Sequence, residues 1–263
     1  MYRFLLSVRW IGFAVFVIAL AAVCTRLGFW QFHKLDLRLE QNKVVTRHLA
    51  AEPVDISDVV RPGDKVDESQ EFTRVTATGT YDVEHQVTVK FTTRDGAPGV
   101  DVVTPLVLPS GDAVLVDRGW QQTSNTMETP DVPAPPPAEV TIEGWLRPDN
   151  GAGGDAVRPI DGQVRAISST GMAEHVPHPL LSGYLNLRSE DPAPAEALEA
   201  EPRPELGQGP HFFYALQWWF FALLAVVGYV WFARAEAKER QNPNRVDHFA
   251  RPERAQRATG RAG

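Results

Sequence analysis

Cysteine is nearly missing from this chain: Cys24 is the only one in 263 residues. A single thiol excludes an intrachain disulfide, a CxxC redox pair and a cysteine cluster for zinc or copper. A copper chaperone of the thiol type is therefore excluded. Catalytic signatures are scarce too. No glycine-rich loop stands between a strand and a helix, as phosphate binding requires; Gly151–Gly154 follows Pro148 in a loop. No Gly-x-Ser-x-Gly elbow occurs. Carboxylates are plentiful, yet no pair stands in a recognisable catalytic frame. His175 and His178 lie in Glu-His-Val-Pro-His-Pro, where two prolines break any helix. That spacing is a weak metal signal, and a surface loop is the stronger reading. His85 reads as a strand-end residue, and His33 and His48 fall in a charged helix. The chain is read as no enzyme.

Two long apolar runs are present. One covers Trp10–Thr25 and continues past Arg26 into Leu27-Gly28-Phe29-Trp30. The other covers Phe212–Phe232, with Gln217 as its only amide and no formal charge. Roughly 20 apolar residues cross a bilayer as a helix, and Arg26 can snorkel from near the end of its span. Residues 33–210 carry 15 Lys+Arg against 29 Asp+Glu, while 233–263 carry 8 against 4. Arg3 and Arg9 flank the first run. The positive-inside rule then puts both ends in the cytoplasm and the middle outside the plasma membrane. The organisation expected is a cytoplasmic N-terminus (1–9), a first span (10–30), an extracytoplasmic region (31–210), a second span (211–232) and a basic, disordered cytoplasmic tail (233–263). The basic start and Ala19, Ala21 and Ala22 also admit a cleaved signal. Ala21-Ala22-Val23-Cys24 faintly suggests lipoprotein processing, but Val23 is bulky where such sites want a small residue.

Residues 30–50 continue the first span as a mixed apolar and charged helix. Strand patterning follows. Val75, Ala77, Tyr81 and Val83 alternate with threonines, and after a bend near Glu84 the alternation resumes at Val87, Val89 and Phe91. Further runs are 102–108, 113–116, 140–146, 163–168 and 184–187. Pro105 predicts an edge or a bulge for its strand. The fold class expected is an α+β membrane protein: two transmembrane helices bracketing a mainly antiparallel β domain, a small barrel or meander. Residues 129–138 (proline-rich), 150–155 (glycine-rich) and 191–205 (acidic, Pro/Ala-rich) read as mobile surface.

His211 stands out by position. It follows Gly209-Pro210, and a proline just before a helix start is favoured, so the imidazole heads the second span. Phe212, Phe213 and Tyr214 flank it, with Gln217, Trp218 and Trp219 about two turns on. A neutral imidazole is the usual axial ligand of haem iron, and a porphyrin needs aromatic walls. An aromatic belt with an interfacial histidine explains the same residues, and on position alone that plainer reading leads.

Three motifs then point to a family. Leu27-Gly28-Phe29-Trp30-Gln31 resembles the Leu-Gly-x-Trp-Gln at the first-span exit of the surfeit-locus-one family of cytochrome oxidase assembly proteins. Val114–Trp120 (VLVDRGW) is similar to its Val-Leu-Val-Asn-Arg-Gly-Trp strand. His211–Trp218 (HFFYALQW) is similar to its His-x-x-Tyr-Ala-x-Gln-Trp. The resemblance covers residues 8 to 235. Two departures stand out: Asp117 replaces the usual Asn, and His33-Lys34 offers the expected basic residue at altered spacing.

The resemblance implies an assembly factor for an aa3-type cytochrome c oxidase that holds haem a transiently and helps it enter the catalytic subunit. The alternative it leaves is an accessory subunit of the mature oxidase without haem delivery. His211 becomes the proposed axial ligand and the sole iron contact, with Tyr214, Gln217 and Trp218 beside it. Gly28, Trp30, Gln31, Arg118, Gly119 and Trp120 are motif residues with structural roles: Gly119 for a tight bend, Trp120 filling the end of the β domain, Arg118 pairing with a carboxylate or approaching haem propionates. Partners implied are the oxidase catalytic subunit, haem a synthase, a respiratory supercomplex and membrane lipid, with no nucleic acid.

Overall fold

A computed structural model describes residues 3–124 and 130–241. Of the tail expected to be disordered (233–263), the first residues are helical as far as Glu239, and those beyond residue 241 lie outside the described residues. The chain forms two compact units: residues 1–38 with 208–263, and residues 39–207.

The first unit is a helix pair. Helix α1 runs Val8–Ala50 and α3 runs His211–Glu239; both are long and apolar enough to cross a membrane. They lie antiparallel. Trp10 meets Tyr229 at 5.7 Å between ring centres at one end, and Phe29 meets Trp219 at 5.4 Å toward the other. The seam is lined by Trp10, Val17, Cys24, Gly28 and Leu35 of α1, whose spacing keeps one helix face. From α3 it takes the small residues Ala215, Ala233 and Ala237, which let two backbones approach. Elsewhere both helices turn apolar side chains outward, including Val15, Phe16 and Ile18 on α1 and Phe213, Leu216 and Leu223 on α3. Such a surface fits a membrane protein.

The second unit is an eight-stranded sheet. Its strands are β1 (Val54–Asp55), β2 (Arg74–Tyr81), β3 (Val87–Arg94), β4 (Ala97–Val107), β5 (Ala113–Gln122), β6 (Val140–Arg147), β7 (Gln163–Val164) and β8 (Leu180–Asp191). A single turn of helix, α2 (Ser169–Met172), precedes β8. The order is β1-β2-β6-β8-β5-β4-β3-β7. Most pairings are antiparallel, but β1–β2, β3–β7 and β5–β8 are parallel. That order overturns a meander, because β5 and β8 become neighbours only through a long crossover. It is no clear barrel either: β2 touches β4 only through Thr80 and Tyr81.

β5 shows why the sheet holds. Val114 and Val116 point into one apolar cluster with Leu106, Ile142 and Leu185. Ala113 and Leu115 point into another with Val87, Val103 and Met172. A strand buried on both faces reads as a continuous apolar run, as Ala-Val-Leu-Val does. Each fully buried Val or Leu contributes about 1.5–3 kcal/mol.

Two sequence expectations need correction here. Pro105 is not on an edge strand. It lies in β4 between Val103, which pairs with β3, and Leu106, which pairs with β2. Its missing N–H falls where β4 changes partners, and its carbonyl accepts from Asp82 N at 2.8 Å. The three supposed mobile segments are anchored at several points. Pro135 and Pro136 are buried, Asn150 N donates to Ile167 O at 2.9 Å, and Glu199 forms a two-bond bridge with Trp120. Composition missed the Asn150 and Glu199 anchors because both use backbone groups, which every residue carries.

Candidate functional site

The helix pair assembles two of the three motifs. His211 is the first residue of α3, and its Nδ1 lies 2.9 Å from Oε1 of Gln31 on α1. An amide oxygen only accepts, so Nδ1 carries the proton and donates. In the neutral ring Nε2 then keeps its lone pair, the tautomer that binds a metal. Two turns along α3, the Trp219 indole abuts Gly28: a Cβ there would clash with its Nε1 and Cδ1. Phe32 packs on Trp219 at 5.1 Å and on Phe212 at 6.2 Å. Gly28, Gln31 and Phe32 are thus the α1 side of a platform whose α3 side is His211, Phe212 and Trp219.

The remaining predicted residues divide. Trp218 is half-buried and edge-on to Phe221 at 5.9 Å. Tyr214 and Gln217 are exposed, and at 100° per residue Gln217 falls about 120° round α3 from His211. Trp30 faces away from the platform, into a groove with Arg26 and His33. Trp219, absent from the predicted set, is the aromatic that meets the Gly28 motif. The signal for it was the glycine itself, a missing side chain one face along from Gln31.

In the β unit, Asp117-Arg118-Gly119-Trp120 forms a bulge. Val103 pairs with Asp117 and Val102 with Gly119, which leaves Arg118 as the extra residue of β5. The bulge re-aims Arg118, which is buried. Its Nη1 donates to Gln86 Oε1 at 3.2 Å and its Nη2 to the Pro133 carbonyl at 2.9 Å. The guanidinium also stands over the Tyr81 ring at 5.6 Å. The hydrogen-bond partners are thus an amide and a carbonyl, in place of the expected carboxylate. Burial lowers the Arg118 guanidinium from its ordinary value, opposed by Tyr81 and Glu190.

Gly119 lies inside β5, at the bulge, and not after the strand. Its φ is 132°, and a Cβ would meet the Glu199 carbonyl at 2.6 Å. Its bareness admits the segment that pairs with Trp120, through Trp120 N to Glu199 O at 2.8 Å and Glu199 N to Trp120 O at 3.0 Å. Arg94 clamps that segment. It donates to the carbonyls of Glu199 and Ala200 at 2.9 and 3.0 Å. It also bonds Asp101 Oδ1 at 3.0 Å and Glu201 Oε2 at 2.7 Å.

Asp117 completes this cluster, with carboxylate oxygens of Asp101, Asp117 and Glu201 within 4.8 Å of one another. Sequence reading missed it because its members lie on three separate segments. Asp117 accepts from Asn186 Nδ2 at 2.8 Å and from Gly119 N at 3.2 Å. Burial, then the charges of Asp101 and Glu201, push its carboxyl up to about 8. Burial likewise raises Asp101 to about 6, against the pull of Arg94. Burial and the neighbouring carboxylates thus favour the protonated form of Asp117, which resembles a neutral side chain such as Asn. Arg94 already fills the place of a cation here. His178 Nδ1 bonds the Gly111 carbonyl at 3.1 Å, and His175 lies edge-on to His85 at 5.5 Å.

Residues 18–223 match the SURF1 family. The chain belongs to the SURF1 family. Uncharacterized SURF1-like proteins of Mycobacterium tuberculosis (strain H37Rv) and Mycobacterium bovis are each 32% identical to it over 242 residues, covering 90% of this chain and 88% of the relative. SURF1 proteins are generally linked to cytochrome oxidase assembly. The matched range begins within α1 and ends within α3, so it spans both helices of the platform and the whole described β unit.

Proposed function

We propose that this SURF1 protein is an assembly factor for a haem-copper cytochrome c oxidase, and that it holds haem a on His211 while the haem passes to the catalytic subunit. The observation that carries the reading is the Gln31–His211 hydrogen bond. Gln31 occupies Nδ1 and orients the ring, and Nε2 is left to bind iron. The residues suit the group: a half-buried imidazole heads α3, and Phe212 and Trp219 of the same helix pack on Phe32 to give an aromatic, apolar surface of the kind a porphyrin needs. Haem supplies an iron that accepts one nitrogen lone pair; the chain supplies the ligand, its orientation and an apolar wall. One axial ligand suits a carrier, since the final site must bind more tightly than the donor.

The two apolar spans support a site within the plasma membrane. Arg3 and Arg9 belong to the same end of the helix pair as Arg234, Lys238 and Arg240, whose Arg240 stands over Phe4 at 5.0 Å. A shared basic end supports cytoplasmic termini and an extracytoplasmic β domain. Haem a synthase and a respiratory supercomplex are the further partners that this reading names.

The test is the reduced-minus-oxidised visible spectrum of membranes from a deletion strain, complemented with wild type or His211→Ala. The expected result is an a-type signal that falls on deletion and returns only with wild type. Restoration by both versions would remove His211 as ligand and leave the assembly role. An undiminished signal in the deletion strain would overturn the assembly role itself and favour an accessory subunit.

A further inference from the structure

We infer that the face of α1 turned away from α3 docks a transmembrane helix of a partner protein, one carrying a carboxylate at the depth of Arg26. Val23, Arg26, Leu27, Phe29, Trp30 and His33 line an open groove of about 570 Å³, in which Phe29 forms the edge nearest α3, where it meets Trp219. At 100° per residue Arg26, Trp30 and His33 fall roughly 180–240° round α1 from Cys24, which sits in the seam with α3. The groove is therefore not the haem platform: Gln31 faces α3, and His33 points the opposite way. The inference rests on α1 crossing the membrane and not on haem.

Charge identifies the occupant. Arg26 has no ion pair or hydrogen bond among the described residues. A guanidinium within a span is expensive and marks an interaction, with a carboxylate as its natural partner. A lipid phosphate is the competing anion, and side-chain direction argues against it. Helical side chains tilt toward the N-terminus. For α1, whose C-terminal part leaves the span past Trp30, that tilt aims the Cα–Cβ bond of Arg26 toward Val23, along the groove. Phosphates lie the other way, beyond Trp30 and His33 on the same stripe. A carboxylate at Arg26's own depth needs no reversal, and a helix ridge fits between the Trp30 and Val23 walls.

The test uses the full-length protein, donor-labelled and reconstituted in phosphatidylcholine vesicles with and without phosphatidylglycerol. Acceptor-labelled polyleucine helices of about 22 residues serve as probes, unsubstituted or with one Glu or one Lys about a turn inside one end. Energy transfer is read at about pH 8, which favours the ionised Glu. The Glu peptide is expected to associate about tenfold more tightly than the unsubstituted one. Arg26→Leu should abolish that preference, and Arg26→Glu should transfer it to the Lys peptide. Equal binding of the Glu and unsubstituted peptides by wild type, or a Glu preference surviving Arg26→Leu, overturns the proposal. So does enrichment of spin-labelled phosphatidylglycerol around wild type but not Arg26→Leu without any peptide preference, which would assign Arg26 to lipid. Failure of wild type to stay with carbonate-washed vesicles would remove the span on which the inference rests.

Discussion

Nδ1 of His211 donates to the side-chain oxygen of Gln31 across the helix pair, at 2.9 Å. This contact makes Gln31 a positioning residue, since it touches the ligand nitrogen's ring and not the iron. Losing the partner of a metal-binding histidine typically lowers affinity 10–100-fold. Gln31→Leu is therefore expected to weaken haem binding by about tenfold or more, read by optical titration of the purified protein. Gln31→Glu, which keeps an acceptor, should retain most of the affinity. Equal affinity for wild type and Gln31→Leu would show that His211 needs no such orientation.

Gly28 and Trp219 make a second prediction about the same seam. A Cβ at position 28 would sit 2.2 Å from Trp219 Nε1, far inside van der Waals contact. Gly28→Ala should force the indole aside and destabilise the helix pair by about 1–3 kcal/mol. Adding Trp219→Ala should recover much of that loss. The readout is the distance between labels on α1 and α3 in detergent. A double variant no better than Gly28→Ala would mean that the glycine serves something other than the indole.

How much of this could be read in advance differs between the two units. The spans were legible because lipid imposes length and apolarity on the sequence itself. The strand positions were legible because period two records the two sheet faces, as at Val75, Ala77 and Tyr81. Topology was not, since nothing local marks β8 as the neighbour of both β5 and β6. Gln31 was visible as a motif residue, but its bond to His211 spans 180 positions. Glu201 looked like one more acid in a mobile linker, because the groups that hold its segment, Arg94 and the Trp120 backbone, lie about a hundred residues away.

Asp117 carries a pH prediction. Its carboxyl titrates near 8 in the folded protein and near 3.8 when exposed. A raised acid favours the folded state fully below about pH 4, and that contribution fades as pH climbs to about 8. Asp101, raised to about 6, adds the same trend over the lower part of the window. Wild-type stability should therefore decline from about pH 4 to about pH 8. Asp117→Asn, which cannot ionise, should flatten the upper part of that decline. It should exceed wild type at about pH 9 by about 1–2 kcal/mol, despite losing one acceptor. Thermal unfolding of the detergent-solubilised protein across pH measures this, and parallel curves for the two proteins would contradict it.

Arg94 yields the last prediction, because it is the one cation among three carboxylates and also grips two carbonyls of the segment leading to α3. Its side chain is 12% exposed, and it reaches Asp101, Glu201 and the carbonyls of Glu199 and Ala200. Removing it leaves buried acids uncompensated, at about 3 kcal/mol. It also leaves the segment held mainly by the two-bond bridge at Trp120 and by Arg188, which donates to the Glu201 carbonyl at 2.7 Å. Arg94→Ala should therefore expose Glu196, Glu199 and Glu201 to a glutamate-specific protease, with cleavage about tenfold faster than in wild type. Arg94→Lys should fall between, since a single ammonium cannot span both carboxylates and both carbonyls as a planar fork does. Unchanged cleavage in a folded Arg94→Ala protein would mean that the Trp120 bridge alone holds the segment.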